Sequence, residues 1–131
     1  MTTLSALVIV VLSPFPQLWR HVHRCVVPRG HVVVQASNVE EARKRVDTPD
    51  VVAVDGFLLA QIGWRGRELA ETLSPDRRIP LLGLVRRDAH RPPATLDLTR
   101  AGIVALYEPF LAPELNIVVN WLGHTARMSP G

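Results

Sequence analysis

The sequence predicts an α/β fold in which a doubly wound parallel sheet is covered by helices on both faces. Five short runs rich in valine, leucine and isoleucine alternate with segments that carry helical spacing or helix start and stop signals. The runs are apolar at consecutive positions, which is typical of strands buried on both faces. Repeated alternation of strand and helix indicates crossover connections, and these produce parallel sheets.

The first half of the chain contains two of the five strand–helix units. The first strand is predicted at residues 6–12, and apolar residues then recur at helical spacing at Leu18, Val22, Cys25 and Val26. The second strand is predicted at residues 31–35. Ser37 and Glu40 have the spacing of a capping box, which predicts the start of the second helix.

The second half completes the pattern with three further units. Apolar runs predict the remaining strands at residues 51–54, 80–85 and 103–107. Apolar spacing, paired prolines and a glycine predict the remaining helices near residues 69–73, 92–102 and 114–123. Because the predicted elements end near Gly123, we expect one domain over residues 1–123. Residues 124–131 are expected to form a C-terminal tail or the start of a linker.

Composition places the chain among globular intracellular proteins. Of its 131 residues, 47% are hydrophobic and 21% are charged, which is too apolar for a disordered chain. A single cysteine, Cys25, excludes an internal disulfide and suits a reducing compartment, so we expect it to be a buried hydrophobe in a cytoplasmic protein. The apolar run Leu7–Leu12 is too short to cross a bilayer, and no membrane contact is expected.

Charge and histidine spacing give no sign of a nucleic-acid, metal or enzymatic site. The net charge of +3 arises from 14 arginines and one lysine. These are scattered along the chain without interleaved aromatic residues, so no nucleic-acid binding is expected. The five histidines lack metal-ligand spacing and are predicted to lie at the surface: His21, His23, His31, His90 and His124. Without a catalytic triad or a phosphate loop, we expect neither an enzyme nor a cofactor.

A carboxylate stands where the third apolar run ends. Asp55 follows Val51–Val54, Val85 lies 30 residues later, and Glu108 lies 23 residues after Val85. Further matching elements are Gly63, Leu82–Val85, Ala101–Gly102 and Glu108–Phe110. In order and interval these residues resemble the receiver domain of two-component response regulators, over nearly the whole chain. The resemblance implies the flavodoxin-like strand order 2-1-3-4-5, a cis Glu108–Pro109 bond, and the phosphoacceptor position for Asp55.

The chain departs from the receiver pattern at three functional positions. Leu12 and Ser13 stand where receivers carry an acidic pair that binds Mg²⁺, and Val85 replaces the hydroxyl residue. Glu108 replaces the cation that stabilises the phosphoryl oxygens. Phosphoryl transfer to Asp55 needs a divalent cation with oxygen ligands and positive charge near the phosphoryl group. The departures therefore indicate a pseudo-receiver.

Two classes of function remain open from the sequence. The favoured one is a non-catalytic signalling module that acts by contact with a protein partner or with a fused output or kinase domain. The alternative is an atypical response regulator receiver that is still phosphorylated on Asp55 by a histidine kinase or a phosphodonor, or a small flavodoxin-like enzyme. Asp55 itself fits a structural carboxylate, a residual phosphoacceptor or a ligand for a cation or small molecule.

Two further expectations concern the pocket and the last helix. Asp55 and Glu108 should converge, with Arg86 either pairing with Asp55 or pointing into solvent. On the last helix, one apolar stripe is enough to cover a sheet, and it consists of Leu115, Val118, Val119 and Leu122. Ile117 and Trp121 form a second apolar pair. It should pack on the preceding helix or form an exposed contact surface, and we favour a contact surface that supports a homodimer.

Overall fold

A computed structural model describes residues 6–46, 49–61, 79–86 and 103–128. Its five strands are β1 Val8–Leu12, β2 Val32–Ala36, β3 Val51–Asp55, β4 Leu81–Arg86 and β5 Ile103–Glu108. All four pairings are parallel, and the strand order is β2-β1-β3-β4-β5. The predicted fold class and strand order are therefore confirmed, and each observed strand overlaps the predicted one.

The described helices are α1 Pro16–Val26, which continues into a 3₁₀ turn at Val27–Arg29, α2 Val39–Arg45, α3 Gly56–Gln61, and the C-terminal helix Ala112–Met128. The helices predicted near 69–73 and 92–102 lie outside the described residues, as does Gly63. The capping-box prediction is corrected by one residue. Asn38 caps α2, because its side-chain oxygen accepts a hydrogen bond from the Glu41 amide at 2.8 Å.

Hydrophobic clusters cover both faces of the sheet, as the apolar runs predict. Successive residues of a strand point to opposite faces, so each strand contributes to both clusters. One cluster joins the sheet to α1 and the C-terminal helix, and it includes Ile9, Val11, Ala53, Leu84, Leu115 and Val119. The other lies on the α2 side and includes Val10, Leu12, Ala42, Val54 and Val85. Cys25 is buried in the first cluster, where burial raises the pKa of its thiol.

The C-terminal helix is longer than predicted and is fixed to α1 by a side-chain amide. Asn116 donates hydrogen bonds to the Cys25 carbonyl at 2.7 Å and the Ala112 carbonyl at 2.9 Å. The helix passes through Gly123, its predicted end, and stops at Met128. It therefore crosses the predicted boundary between residues 123 and 124. Within the described ranges, no helix is both long and apolar enough to span a membrane.

Strand β2 forms one edge of the sheet, and an arginine occupies part of that edge. The Val32 amide donates to the Leu7 carbonyl, and the Ala36 carbonyl accepts from the Ser13 amide. Because these even-numbered residues bond to β1, the backbone groups of Val33 and Gln35 point outward. Arg45 at the end of α2 donates to the Gln35 carbonyl at 2.8 Å. The guanidinium also pairs with Glu41 at 3.0 Å.

His31 is buried, which corrects the prediction that all five histidines lie at the surface. Only 7% of its surface is exposed, and its Nδ1 accepts a hydrogen bond from the Leu7 amide at 3.1 Å. Burial lowers the pKa of His31, and His124 lowers it further, whereas Asn120 and Asp50 act in the opposite direction. His31 directly precedes β2, and its side chain interacts with Asn120 and His124 of the C-terminal helix. The absence of metal-ligand spacing among the histidines could not predict this burial.

Acidification is expected to destabilise the fold through His31. Because the pKa of His31 is lowered in the folded state, the unfolded chain binds more protons than the folded chain at pH values between the lowered pKa and the ordinary value of 6.5. The stability that neutral His31 contributes is fully present above pH 6.5, and it is lost as the pH falls through the lowered pKa. The substitution His31→Asn keeps an acceptor for the Leu7 amide but cannot titrate.

Urea denaturation at pH 7.5 and 5.5 measures this effect. The loss of stability at the lower pH should shrink in His31→Asn and persist in His23→Asn, where an exposed histidine is replaced. An unchanged pH dependence in His31→Asn would show that His31 is not the titrating group.

Candidate functional site

The carboxyl end of the sheet brings Asp55 beside Ser13. The register pairs Leu12 with Val54, so the next residue of each segment, Ser13 and Asp55, lie side by side. The Ser13 hydroxyl donates a hydrogen bond to Asp55 Oδ2 at 2.7 Å. It also accepts one from the Phe15 amide at 3.0 Å, and Ser13 is fully buried. Ser13 therefore joins the end of β1 to the carboxylate.

The other oxygen of Asp55 caps helix α3. Asp55 directly precedes the helix, and its Oδ1 accepts a hydrogen bond from the Phe57 amide at 2.9 Å. This is the position and pattern of an N-cap residue, which satisfies a backbone donor at the start of a helix. Only 7% of the Asp55 surface is exposed. Both carboxylate oxygens are thus held in place by groups of this chain.

An open cleft of about 500 Å³ lies at this end of the sheet, on the side of α1. Its lining residues are Phe15, Gln17, Leu18, His21, Asp55, Glu108, Pro109 and Phe110. Asp55 and Glu108 therefore open onto the same cleft. Among these lining residues there are two carboxylates, one imidazole, and neither lysine nor arginine. Nowhere in the described part of the chain do three or more acidic, histidine or cysteine side chains converge as a metal site.

Leu12 and Val85, which the sequence analysis grouped with Asp55, are not among the residues that line this cleft. Only 2% of Leu12 and 1% of Val85 is exposed, and both pack in the cluster on the α2 side of the sheet. The period of two along a strand explains this placement, because Val54 and Asp55 also point to opposite faces. The backbone of Arg86 pairs with Glu108 in the register. The Arg86 side chain lies outside the described residues, and its pairing with Asp55 stays a prediction.

Aromatic rings flank the cleft. Phe15 and Phe57 meet edge to face with ring centroids 5.5 Å apart, and they are 45% and 52% exposed. The His21 ring lies 4.7 Å from that of Phe110, and its Nε2 is 3.4 Å from the Phe110 carbonyl oxygen. The Glu108–Pro109 bond before Phe110 is cis, as the resemblance implied. These rings were not predicted to belong to the site, although Phe15 and Phe110 follow the ends of β1 and β5.

The apolar pair on the C-terminal helix is exposed. Ile117 is 69% exposed and Trp121 is 59% exposed, whereas Leu115, Val119 and Leu122 are buried in the core. Ile117 and Trp121 lie one turn apart and so form one patch, which we call the helix patch. Of the two predicted arrangements, the exposed surface is the one observed.

Comparison with solved structures identifies the architecture. NtrX from Brucella abortus, solved in complex with ADP, superposes with a TM-score of 0.75 at 17% identity, over 95% of this chain but 28% of that chain. A response regulator from Thermotoga maritima gives a TM-score of 0.69 at 20% identity, over 92% and 99% of the two chains. A receiver domain protein from Clostridium thermocellum gives 0.67 at 18%, over 93% and 98%.

These likenesses rest on structure alone. No family model and no curated protein sequence matches the chain. The chain spans 28% of the length of NtrX and nearly the whole length of the two shorter proteins. Each superposition extends over at least 92% of this chain. The chain has the fold of response regulator receiver domains.

Proposed function

We propose that this chain is a pseudo-receiver, a signalling module that acts by protein–protein contact without Mg²⁺-dependent phosphorylation of Asp55. The observation that carries the proposal is the hydrogen bond from the Ser13 hydroxyl to Asp55 Oδ2 at 2.7 Å. A neutral donor thus lies beside the carboxylate where receivers place acidic metal ligands. With the Phe57 amide on Oδ1, the carboxylate has a structural role at the start of α3.

The charge of the cleft supports the same proposal. A phosphoryl group approaching Asp55 brings additional negative charge, which an active site stabilises with cations. In this cleft, the sheet contributes two ionisable side chains, Asp55 and Glu108, and both are carboxylates. Repulsion between Glu108 and phosphoryl oxygens opposes the reaction, and Mg²⁺ prefers several oxygen ligands in octahedral geometry. The described residues therefore poorly meet two requirements for phosphoryl transfer, which are positive charge near the phosphoryl group and several oxygen ligands for Mg²⁺.

Titration with Mg²⁺ and beryllofluoride, a phosphoryl mimic, tests the proposal on the native chain. We expect the amide NMR signals of Phe57 and the neighbouring α3 residues to stay unchanged, because no stable complex forms at Asp55. The fold should be intact under the same conditions, as reported by the signals of β1 and β3. Saturable shifts at Phe57 that are lost in Asp55→Asn would instead support the alternative, an atypical receiver phosphorylated on Asp55.

The helix patch is the proposed contact surface, with a symmetric homodimer as the simplest arrangement. Exposed apolar side chains that neighbour each other on one helix face favour association, and tryptophan is a frequent anchor of interfaces. A partner protein or a fused output or kinase domain is a second occupant of the same surface. Among the structural neighbours, the fold occurs both within a longer chain and as nearly the whole chain.

Polar substitution of the helix patch is expected to weaken self-association. In Ile117→Ser/Trp121→Ser, the dimer dissociation constant from sedimentation equilibrium should rise at least about tenfold, because interface anchors contribute ~2 kcal/mol or more. The free energy of unfolding of the monomer should change little, since both side chains are already exposed. Val32→Ser is the matched control, because Val32 is 51% exposed on the β2 edge. A native chain that is monomeric at all concentrations would refute the homodimer.

A further inference from the structure

We propose that His31 is an acid-sensitive switch that controls how the second half of the C-terminal helix lies on the sheet. The neutral ring holds the segment before β1 in place, and the protonated ring releases it. The helix patch lies on the same helix, so the part of this inference that concerns association rests on the proposed function. The conformational part rests only on the contacts around His31.

The hydrogen bond at Nδ1 selects the neutral form of the His31 ring. This side chain is buried, and its Nδ1 lies 3.1 Å from the amide nitrogen of Leu7. A backbone amide can only donate, so Nδ1 must accept, and the proton of the neutral imidazole is on Nε2. In the protonated ring both nitrogens are donors. Nδ1–H would then face the Leu7 N–H with no acceptor between them, so protonation breaks this contact.

The backbone around His31 fixes the ring beside Leu7. The His31 amide donates to the Val26 carbonyl at 3.4 Å, and β2 begins at the next residue. The Val32 amide donates to the Leu7 carbonyl at 2.9 Å. Leu7 is therefore held at its carbonyl by β2 and at its amide by the His31 ring. A buried amide that loses its acceptor is unfavourable, so we expect the segment at Leu7 to move when the ring is protonated.

Leu7 connects this movement to the C-terminal helix. Its side chain is fully buried and lies against Gly123, where an added Cβ would collide with it. Contact this close couples the positions of the two groups, so a shift of Leu7 should shift the helix at Gly123. Asn120 of the same helix interacts directly with the His31 ring. Trp121 of the helix patch lies between Asn120 and Gly123 in the sequence, so we expect its position to change with theirs.

Groups on two neighbouring segments influence when the ring is protonated. Burial lowers the pKa of His31, and His124 of the C-terminal helix lowers it further. Asn120 of that helix and Asp50, which precedes β3, act in the opposite direction. The contact with Leu7 is therefore fully formed above the ordinary value of 6.5 and is lost as the pH falls through the lowered pKa. Repulsion between His124 and a charged His31 acts on the helix itself and also favours its movement.

NMR of the native chain between about pH 7.5 and 5, a range that spans histidine titration, tests the switch. The Hε1 signal of the His31 ring reports its protonation. We expect the backbone amide signals of Leu7, Trp121 and Gly123 to shift with the midpoint of this ring, while the signals of β3 remain in place. These shifts should be lost in His31→Asn, which keeps an acceptor for the Leu7 amide. His23→Asn, in which an exposed histidine of α1 is replaced, should titrate as the native chain does.

The common midpoint separates a local switch from other effects of acid, and it is measured on the native chain even if His31→Asn fails to fold. Shifts at Leu7 that do not extend to Trp121 and Gly123 would overturn the coupling to the helix. Shifts that persist in a folded His31→Asn, or that follow the ring of His124, would overturn the role of His31. Loss of all native signals together would show global unfolding, and this result also contradicts a switch.

Self-association provides a second measurement that depends on the helix patch. The dimer dissociation constant of the native chain should rise about fivefold or more on acidification, the lower end of ordinary coupling between sites, and remain constant in His31→Asn. A dissociation constant that does not change with pH, although the amide signals shift, would refute the link to the helix patch. A native chain that is monomeric throughout would refute the homodimer, and the NMR titration would still decide whether His31 is a switch.

Discussion

Gly123→Ala is expected to destabilise the chain by up to about 2 kcal/mol, although alanine favours helices over glycine by ~1 kcal/mol. Gly123 lies within the C-terminal helix, and a Cβ placed there would be 2.6 Å from Leu7 Cδ1. Leu7 is fully buried before β1, so its side chain can move away only by displacing neighbouring core residues. Overpacking of this kind costs about 1–3 kcal/mol, so a net loss of up to about 2 kcal/mol remains after the gain in helix propensity.

A double-mutant cycle with Leu7→Ala makes the mechanism testable. Leu7→Ala alone should cost about 2–5 kcal/mol through loss of buried surface and a residual cavity. In that background Gly123→Ala should be neutral or stabilising, because the atoms that it would contact are gone. Urea denaturation of the four proteins gives the coupling free energy. Additive effects would show that Gly123 has another role, since the two residues would then be energetically independent.

Ser13→Asp/Glu108→Lys is expected to raise the rate of phosphorylation of Asp55 by acetyl phosphate and Mg²⁺ by about 100-fold or more. The aspartate adds a metal ligand beside Asp55 and can accept the Phe15 amide as Ser13 does. The lysine reverses the charge that opposes the phosphoryl oxygens in the cleft. Loss of one such stabilising group typically costs about 10²–10³ in rate, so its restoration has an effect of the same order.

Mass spectrometry of the intact protein over time measures the phosphorylated fraction. Adding Asp55→Asn to the double variant is the control for the site, and Glu40→Lys controls for a charge change elsewhere. If the native chain is phosphorylated as fast as the double variant, the pseudo-receiver proposal is wrong. If the double variant folds and binds Mg²⁺ without reacting, Ser13 and Glu108 are not what prevents the chemistry.

The fold could be predicted because it depends on patterns that are local in the sequence. Each strand is a run of consecutive apolar residues, and burial on both faces needs no knowledge of the neighbouring strand. The exposed pair Ile117 and Trp121 could be recognised for a similar reason. Helical periodicity separates them from Leu115 and Val119, which are sufficient to cover the sheet. The alternation of strands and helices predicted that the strands are parallel, and the resemblance to receiver domains predicted their order.

The details of the site depend on the register between strands and on the face of the sheet to which each side chain points. The sequence alone does not specify either. Ser13 meets Asp55 only because Leu12 pairs with Val54 across two strands that are 42 residues apart at this contact. Val85 matches a functional position by interval, yet the pleat turns its side chain into the core. His31 is buried by a helix from the other end of the chain. Each case joins segments distant in sequence, where spacing gives no signal.

The exposed edge of β2, where Arg45 binds the Gln35 carbonyl, affects how copies of this chain can associate. An unpaired strand edge can recruit a strand from another molecule and extend the sheet across both. Here Arg45 already occupies the Gln35 carbonyl and is itself anchored by Glu41, so an incoming strand would have to displace an ion-paired guanidinium. Growth of a continuous intermolecular sheet is disfavoured at this edge. If copies of this chain associate, we therefore expect side-chain contacts such as those of the proposed helix patch, and not strand pairing at this edge.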